Sequence, residues 1–597
     1  MKKKNMSLKN VKDYASVLGY EPSEYQTKIF DFVVHNVGNA VIKARAGSGK
    51  TATIITCMKL VPENKSCIFL AFNKSVKQEI EKKLIGHNNC NVKTVHGLGY
   101  DILQSNFPNY KFDVDELKYV NYLRQNFDTL TDGITFNNDI QKEEYINNVI
   151  ELLSFSRMDL SQSENEIKKS GEKRSLNLIS DEVSIVLKLM KWGKKNCDII
   201  DYTDMVWLPN ELKIQPKLFN KYDWIFNDEA QDYTIAYVKL FLKCFKRGAR
   251  FISCGDEFQA INQFAGASQE AFNNMINYPN TQLFDLPISY RCDRNIIKQA
   301  QRYVPDIQYR ENAGIGLIKY DSSLKDIGDN DMVLSRKNAP LFKMYTMLID
   351  KNKPCYIKGK ESDSNILINI IKNTRQTVLS PNFESDGLFP RLYLDLINER
   401  NKLLNSGVVM KDAIHAASVE YKYDIINSLL VLSKGCDTVE CLIKKIESIF
   451  QDKGEGVCLS TIHKAKGLES DNVHILCRSE MFNNFVRNDS SELQERNLLY
   501  VAITRAKHKL CYVDEKEFPT MKIFAQNDND DIFEFDYIED KVCKLYQIEP
   551  VNKNNLNVLQ FKVNNFQKIE LNQNKREVSN KFVRTNSHDD ILKKLLE

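Results

Sequence analysis

The run NAVIKARAGSGKTATIIT constrains this chain more than any other stretch. Ala40–Lys43 reads as a strand, and Ala44, Arg45, Ala46, Gly47, Ser48, Gly49, Lys50 and Thr51 read as a turn that opens a helix. Gly47 and Gly49 let the backbone curl so that its N–H groups converge on phosphate oxygens. The N-terminus of the following helix adds partial positive charge. In that setting Lys50 reaches the β- and γ-phosphates of a nucleotide, and the Thr51 hydroxyl holds Mg2+. The strict pattern has Gly at position 44, where this chain has Ala. A strand feeding such a loop and helix points to an α/β layer architecture.

A metal beside the phosphates needs a carboxylate, and IFNDEAQD supplies one at the end of the apolar strand Trp224–Phe226. Asp228 would hold Mg2+ through water, and Glu229 would polarise the attacking water. Acidic pairs at strand ends are common and mostly solvated. This one gains meaning from the loop upstream and from Gln231 and Asp232 after it.

With 597 residues, the chain exceeds what one core organises, and length alone suggests about three to five domains. No apolar run of about 18 residues appears, so no membrane span is expected. The basic start MKKKNMSLKN lacks the apolar segment of a secretory signal. A cytoplasmic or nucleoid-associated location follows as the expectation. A net charge of +4 excludes a uniformly basic surface but allows a basic groove. The 14 cysteines form no CxxC pair and the 8 histidines no ligand spacing, which fits reduced intracellular thiols.

Short β-like runs such as SCIFLAF, YDWIF, RFISCGD, DMVLS and VHILC fall at about 40–100, 222–292, 314–358 and 456–512. Between them, IQKEEYINNVIELLSF, SDEVSIVLKLMKWGKK, SNILINIIKN and YDIINSLLVLSKG space their apolar residues as helices do. The stretch 516–597 starts with the acidic NDNDDIFEFDYIED and turns Asn- and Lys-rich.

Further motifs follow in order, and together they resemble the UvrD/Rep/PcrA class of superfamily 1 DNA helicases. These are Tyr25-Gln26, FLAFNKSVKQEIEKKL (69–84), TVHGLGYDIL (94–103), DYTDMVWLP (201–209), CGDEFQAINQFAGA (254–267), SYRC (289–292), VLSRKNAPL (333–341), LSTIHKAKGLESDNVHIL (459–476) and ERNLLYVAITRAKHKL (495–510). The resemblance covers about 25–110, 198–340 and 456–512.

It implies two RecA-like P-loop lobes, each with a mainly helical insertion, plus a C-terminal extension. The expected bounds are 1–105 and 201–292 for lobe one with insertion 106–200. For lobe two they are 293–360 and 453–515 with insertion 361–452, and the extension covers 516–597.

The resemblance also implies roles. Gln26 would read the adenine edge, Tyr290 would stack on adenine, and Glu469 would lie near the ribose. Gln259, Arg291 and Arg505 would contact the γ-phosphate, with Arg505 as an arginine finger from lobe two. Asn73, Lys74, Thr94, His96, Phe264 and His463 would line the DNA path, with Phe264 stacking on a base. Two departures weaken that path: Asn262 stands where the family has Tyr, and Ala265 where it has Arg. The substrates implied are ATP with Mg2+ and single-stranded or tailed duplex DNA, with 3′-to-5′ movement. The extension is a candidate contact for a protein partner.

Two other functions share these residues. A translocase that remodels protein–DNA complexes without unwinding would carry the same site, and the second insertion looks short. A helicase-like scaffold would have no need of Lys50, Asp228, Glu229 and Arg505. A nuclease element is suggested by Glu539-Asp540-Lys541, although such triplets are usually solvated surface.

Overall fold

The computed structural model describes residues 11–131, 134, 139–174, 176, 180–261, 269–359, 361–405, 417–451, 454–477, 489–513 and 530–548. Asn262, Phe264 and Ala265 lie outside the described residues. The chain divides into two compact bodies, the first ending at Tyr290 and the second beginning at Arg291.

The first body is built on a six-stranded sheet: β1 (Asn39–Ala44), β2 (Cys67–Ala71), β3 (Cys90–Thr94), β4 (Tyr222–Asn227), β5 (Phe245–Gly255) and β6 (Thr281–Leu286). The order is β3-β2-β4-β5-β1-β6, and every pairing is parallel. Its strands β1, β2 and β4 are near-continuous buried runs because both faces are covered there. Along β2, Cys67, Phe69 and Ala71 enter one apolar cluster, while Ile68 and Leu70 enter the other. That is the period-2 alternation of a strand buried on both sides.

Between β3 and β4 the chain forms the helices Val95–Asn106, Lys118–Gln125, Phe127–Leu130, Asp139–Asp159, Glu164–Glu172, Ser180–Lys195 and Tyr202–Glu211. Their shared core includes Leu123, Ile146, Leu152, Val186 and Trp207. Inside it sits a cluster of charge. Arg157 donates to both carboxylate oxygens of Asp201 at 2.9 and 2.8 Å and to Asp204 at 2.8 Å. Lys118 and the Tyr119 hydroxyl donate to Asp204 at 2.7 and 2.8 Å. All four ionised side chains are buried. Burying such groups is costly unless every charge is matched, and here two cations meet two anions. Asp201 also caps the helix Tyr202–Glu211 in a capping box with Asp204. Gly99 is required where that helix crosses Val95–Asn106, since a Cβ there would sit 2.0 Å from the Met205 carbonyl oxygen.

The second body carries a seven-stranded sheet: β7 (Leu317–Ser322), β8 (Met332–Ser335), β9 (Cys355–Lys358), β10 (Phe450–Gln451), β11 (Val457–Thr461), β12 (Ser470–Ile475) and β13 (Ala506–Val513). Its order is β7-β13-β12-β8-β11-β9-β10, again with every pairing parallel. The helices Glu361–Asn373, Leu388–Asn405, Ala417–Ser433 and Val439–Ile449 lie between β9 and β10.

The helix Asp530–Tyr546, within the C-terminal stretch, docks on this helical group. Arg400 donates to both oxygens of Glu539 at 2.8 and 2.7 Å in a buried pair. The Tyr546 hydroxyl donates to Asp386 at 2.6 Å. Glu539 therefore serves as a buried ion-pair partner, which explains its place in an acidic stretch without any nuclease chemistry. No helix among the described residues is long and apolar enough to cross a membrane.

Candidate nucleotide-binding site

The loop after β1 has the expected local shape. Gly47 and Gly49 hold φ of +72° and +79°, the left-handed region that favours glycine. The helix Lys50–Lys59 begins directly after them. Part of the loop's hydrogen bonding is internal: the Arg45 amide donates to the Leu286 carbonyl at 2.9 Å, and the Ser48 amide to the Arg45 carbonyl at 3.1 Å. The Tyr290 amide donates to the Gly47 carbonyl at 2.8 Å, which brings this 39% exposed side chain beside the loop.

Two polar atoms in the loop are buried without a hydrogen-bond partner, the Lys50 Nζ and the Ser48 Oγ. Lys50 faces acid, with its Nζ 3.4 Å from Glu229 Oε1. Burial pulls its ammonium toward neutrality, yet Glu229, Asp228 and Asp256 outweigh that and hold it above its ordinary value. Burial, then the Glu229 charge, pushes the Asp228 carboxyl up, against Lys50 and Thr51. A charged amine and a hydroxyl, buried and with no hydrogen bond made, fit phosphate oxygens.

The Thr51 Oγ1 donates to Asp228 Oδ2 at 2.8 Å, so the two expected metal ligands touch. Among the described residues no group of three or more His, Cys, Asp or Glu side chains is arranged to hold a metal ion.

Glu229 adopts φ of +54°, uncommon for a residue with a side chain. Its amide donates to its neighbour Asp228 at 2.8 Å, and the Gln231 side-chain amide donates to its Oε2. Gln231 works in two directions, because its Oε1 also accepts the Asp256 amide at 2.9 Å. A Cβ on Gly255 would sit 2.7 Å from that oxygen, so this close approach needs glycine. Gln259 donates to Asp256 Oδ2 at 2.7 Å. Arg45 extends the same network, with one guanidinium nitrogen 3.2 Å from Asp256 and 3.1 Å from Glu257. The sequence marks Gln231 only as context for Asp228-Glu229 and shows no ionic partner for Arg45. Arg45 and Asp256 are 211 residues apart, so no local spacing marks their contact.

Gln26 is fully buried within the capping box of the helix Glu24–His35, accepting from the Ser23 amide. Its Nε2 donates to Thr53 Oγ1 at 3.0 Å, which ties that helix to the one carrying Lys50.

Asn73, Lys74, Thr94 and His96 follow the carboxyl ends of β2 and β3, the sheet edge where ligands bind in open α/β folds. Asn73 and Thr94 cap the helices that follow, accepting from the Val76 and Gly97 amides. His96 shares a hydrogen bond with the Tyr237 hydroxyl at 3.1 Å, and burial lowers its pKa. Two exposed aromatic rings that no motif role marks also stand here. Phe72 directly precedes Asn73, and Tyr202 lies 5.9 Å from the His96 ring.

In the second body, Arg291 donates to Glu469 at 2.6 Å and to the Thr504 carbonyl at 3.2 Å. Arg505 is 1% exposed; its Nε donates to the Val501 carbonyl at 2.9 Å and a terminal nitrogen to the Leu468 carbonyl at 3.0 Å. His463 is pulled down to about 4 by burial, with Arg336 adding to it.

The folded protein thus keeps His463 neutral where the unfolded chain would protonate it. The unfolded state binds more protons between about 6.5 and about 4, so stability falls as pH drops through that window. Above it both states are neutral and the effect vanishes. The urea midpoint of the second body should decline over this range, and His463→Gln should flatten the decline. An unchanged slope in that variant would contradict the assignment.

Comparison with known proteins gives two family matches. The UvrD/REP helicase N-terminal domain matches residues 26–280, and the UvrD-like helicase C-terminal domain matches residues 402–516. Together they take in more than half of the chain. The chain is 28% identical over 513 residues to F-box DNA helicase protein 1 of Schizosaccharomyces pombe, covering 79% of this chain and 55% of that protein. It is 25% identical over 326 residues to ATP-dependent DNA helicase Rep of Buchnera aphidicola subsp. Acyrthosiphon pisum, covering 49% and 47%. It is 24% identical over 531 residues to F-box DNA helicase 1 of Gallus gallus, covering 81% and 48%. The chain spans about half the length of these curated relatives.

Proposed function

Since the chain belongs to the UvrD/Rep family of helicases, we propose that it couples Mg2+-dependent ATP hydrolysis to movement along single-stranded DNA. One observation carries the reading: a buried Lys50 ammonium in a glycine loop that faces Asp228, Glu229 and Asp256 and makes no hydrogen bond among the described residues. Lys50 and Ser48 bind phosphate oxygens. Thr51 and Asp228 would hold the cation, whose chemistry there would be to offset phosphate charge. Glu229, held by Gln231, orients water and takes its proton. Gln259 is hydrogen-bonded to Asp256 in the same network, which suits a residue that senses nucleotide state. The roles that resemblance gives Gln26, Tyr290, Arg291, Glu469 and Arg505 belong to the same proposal, as do base stacking by Phe264 and a DNA-path role for His463.

The DNA side rests on the adjoining sheet edge. Exposed Phe72 and Tyr202 rings beside Asn73, Lys74, Thr94 and His96 suit a single strand, whose bases stack on aromatics whatever their sequence. Movement is 3′ to 5′ by family resemblance. A strand-displacement assay on duplexes with 3′ or 5′ tails tests this, with 3′-tailed DNA displaced preferentially. Preference for 5′ tails would overturn the polarity. Single-strand movement without displacement of either would favour a translocase that remodels protein–DNA complexes.

A further inference from the structure

We propose that Cys67 and Cys90 form a reversible disulfide, a modification site on the first body at the sheet edge opposite the nucleotide loop. The two residues open the adjacent parallel strands β2 and β3 and are direct register partners. Neighbouring strands lie about 4.7–4.9 Å apart, inside the roughly 4.4–6.8 Å separation of Cα atoms that a disulfide spans. Their sulfurs are 2.7 Å apart, with the Cys67 thiol donating to Cys90. Both are free thiols.

The two thiols have unequal surroundings. Cys67 is fully buried, whereas Cys90 is half-buried on the outer strand β3. The hydrogen bond from Cys67 lowers the Cys90 pKa and favours its thiolate, while the same bond, followed by burial, raises Cys67. That is the pairing of an accessible attacking thiol with a resolving one.

A peroxide is the oxidant class. The Cys90 thiolate attacks one peroxide oxygen, the O–O bond breaks, and a sulfenic acid forms with release of water once the leaving oxygen is protonated. The Cys67 sulfur then attacks the Cys90 sulfur. The S–S bond forms, the S–O bond breaks, and the hydroxide leaves with the Cys67 proton as water. Two thiols and one hydrogen peroxide thus give one disulfide and two waters.

The closed loop runs from Cys67 to Cys90 and contains Phe72, Asn73 and the helix Lys74–Lys83. Oxidation would therefore tie down the base of the segment that leads to the candidate DNA residues. The nucleotide loop follows the carboxyl end of β1, away from the strand starts where the cysteines sit.

The full-length protein is treated with hydrogen peroxide, its free thiols are alkylated, and its peptides are mapped without reduction. The expected product is a peptide pair crosslinked through Cys67 and Cys90 that separates in dithiothreitol. The first body's thermal transition should rise by several degrees on oxidation, as a loop-closing crosslink restricts the unfolded chain. In Cys90→Ser both the crosslink and the rise should vanish. The proposal is overturned if no crosslink appears under conditions that oxidise the exposed Cys441. It is equally overturned if Cys90 proceeds to sulfinic acid while Cys67 stays alkylatable. Mapping of the wild-type protein decides the matter even where Cys90→Ser folds poorly.

Discussion

With Glu229 as the proposed general base, Glu229→Gln should lower ATP turnover by about 10²–10⁴-fold and leave ATP binding intact, the usual scale for loss of such a group. The carboxylate sits 3.4 Å from Lys50 Nζ and is held by Gln231 on a left-handed backbone. An amide keeps the size and the Lys50 contact but cannot take a proton from water. Lys50→Ala fails differently. It removes the cation that Asp228, Glu229 and Asp256 surround, so ATP binding itself is lost. Equilibrium binding of a fluorescent ATP analogue, measured beside steady-state turnover, separates the two variants. Normal hydrolysis by Glu229→Gln would remove Glu229 from the chemistry.

The largest stability effect is expected far from the nucleotide. Asp204→Leu should destabilise the first body by about 3–5 kcal/mol, because it strands the buried Lys118 ammonium without its anion and takes one of three bonds from Arg157. Asp204 accepts from Lys118 and Tyr119, and it shares Arg157 with Asp201. The double substitution Lys118→Met/Asp204→Leu should recover most of that loss, since Arg157 keeps its two bonds to Asp201. Urea unfolding of the three proteins measures this. A single variant within about 1 kcal/mol of the parent would mean that water reaches the cluster.

These two sites differ in how far the sequence reveals them. The loop around Lys50 and the pair Asp228-Glu229 are legible because their chemistry is local. A strand end, a glycine pair and a helix start occupy about ten consecutive residues. The parallel sheets are legible for a similar reason, since SCIFLAF and YDWIF are strands apolar on both faces.

Lys118 and Asp204 are 86 residues apart, and Arg400 and Glu539 are 139 apart. Each alone looks like an ordinary solvated charge, and only the packed helices show that it is buried. Glu539 is the instructive case. Its neighbours Asp540 and Lys541 suggest an ExK element, and long-range packing pairs it instead with Arg400. Arg505 lies in a motif whose resemblance assigns it a phosphate. In the second body its guanidinium donates to the Val501 carbonyl one helical turn back and to the Leu468 carbonyl 37 residues away, a contact that no spacing rule predicts.

The claim that nucleotide chemistry in this chain drives movement on DNA is tested most directly by steady-state ATP turnover as single-stranded DNA is titrated in. The account predicts slow hydrolysis by the free protein and a strong, saturable rise with single-stranded DNA, absent in Glu229→Gln. A turnover rate indifferent to DNA would contradict it.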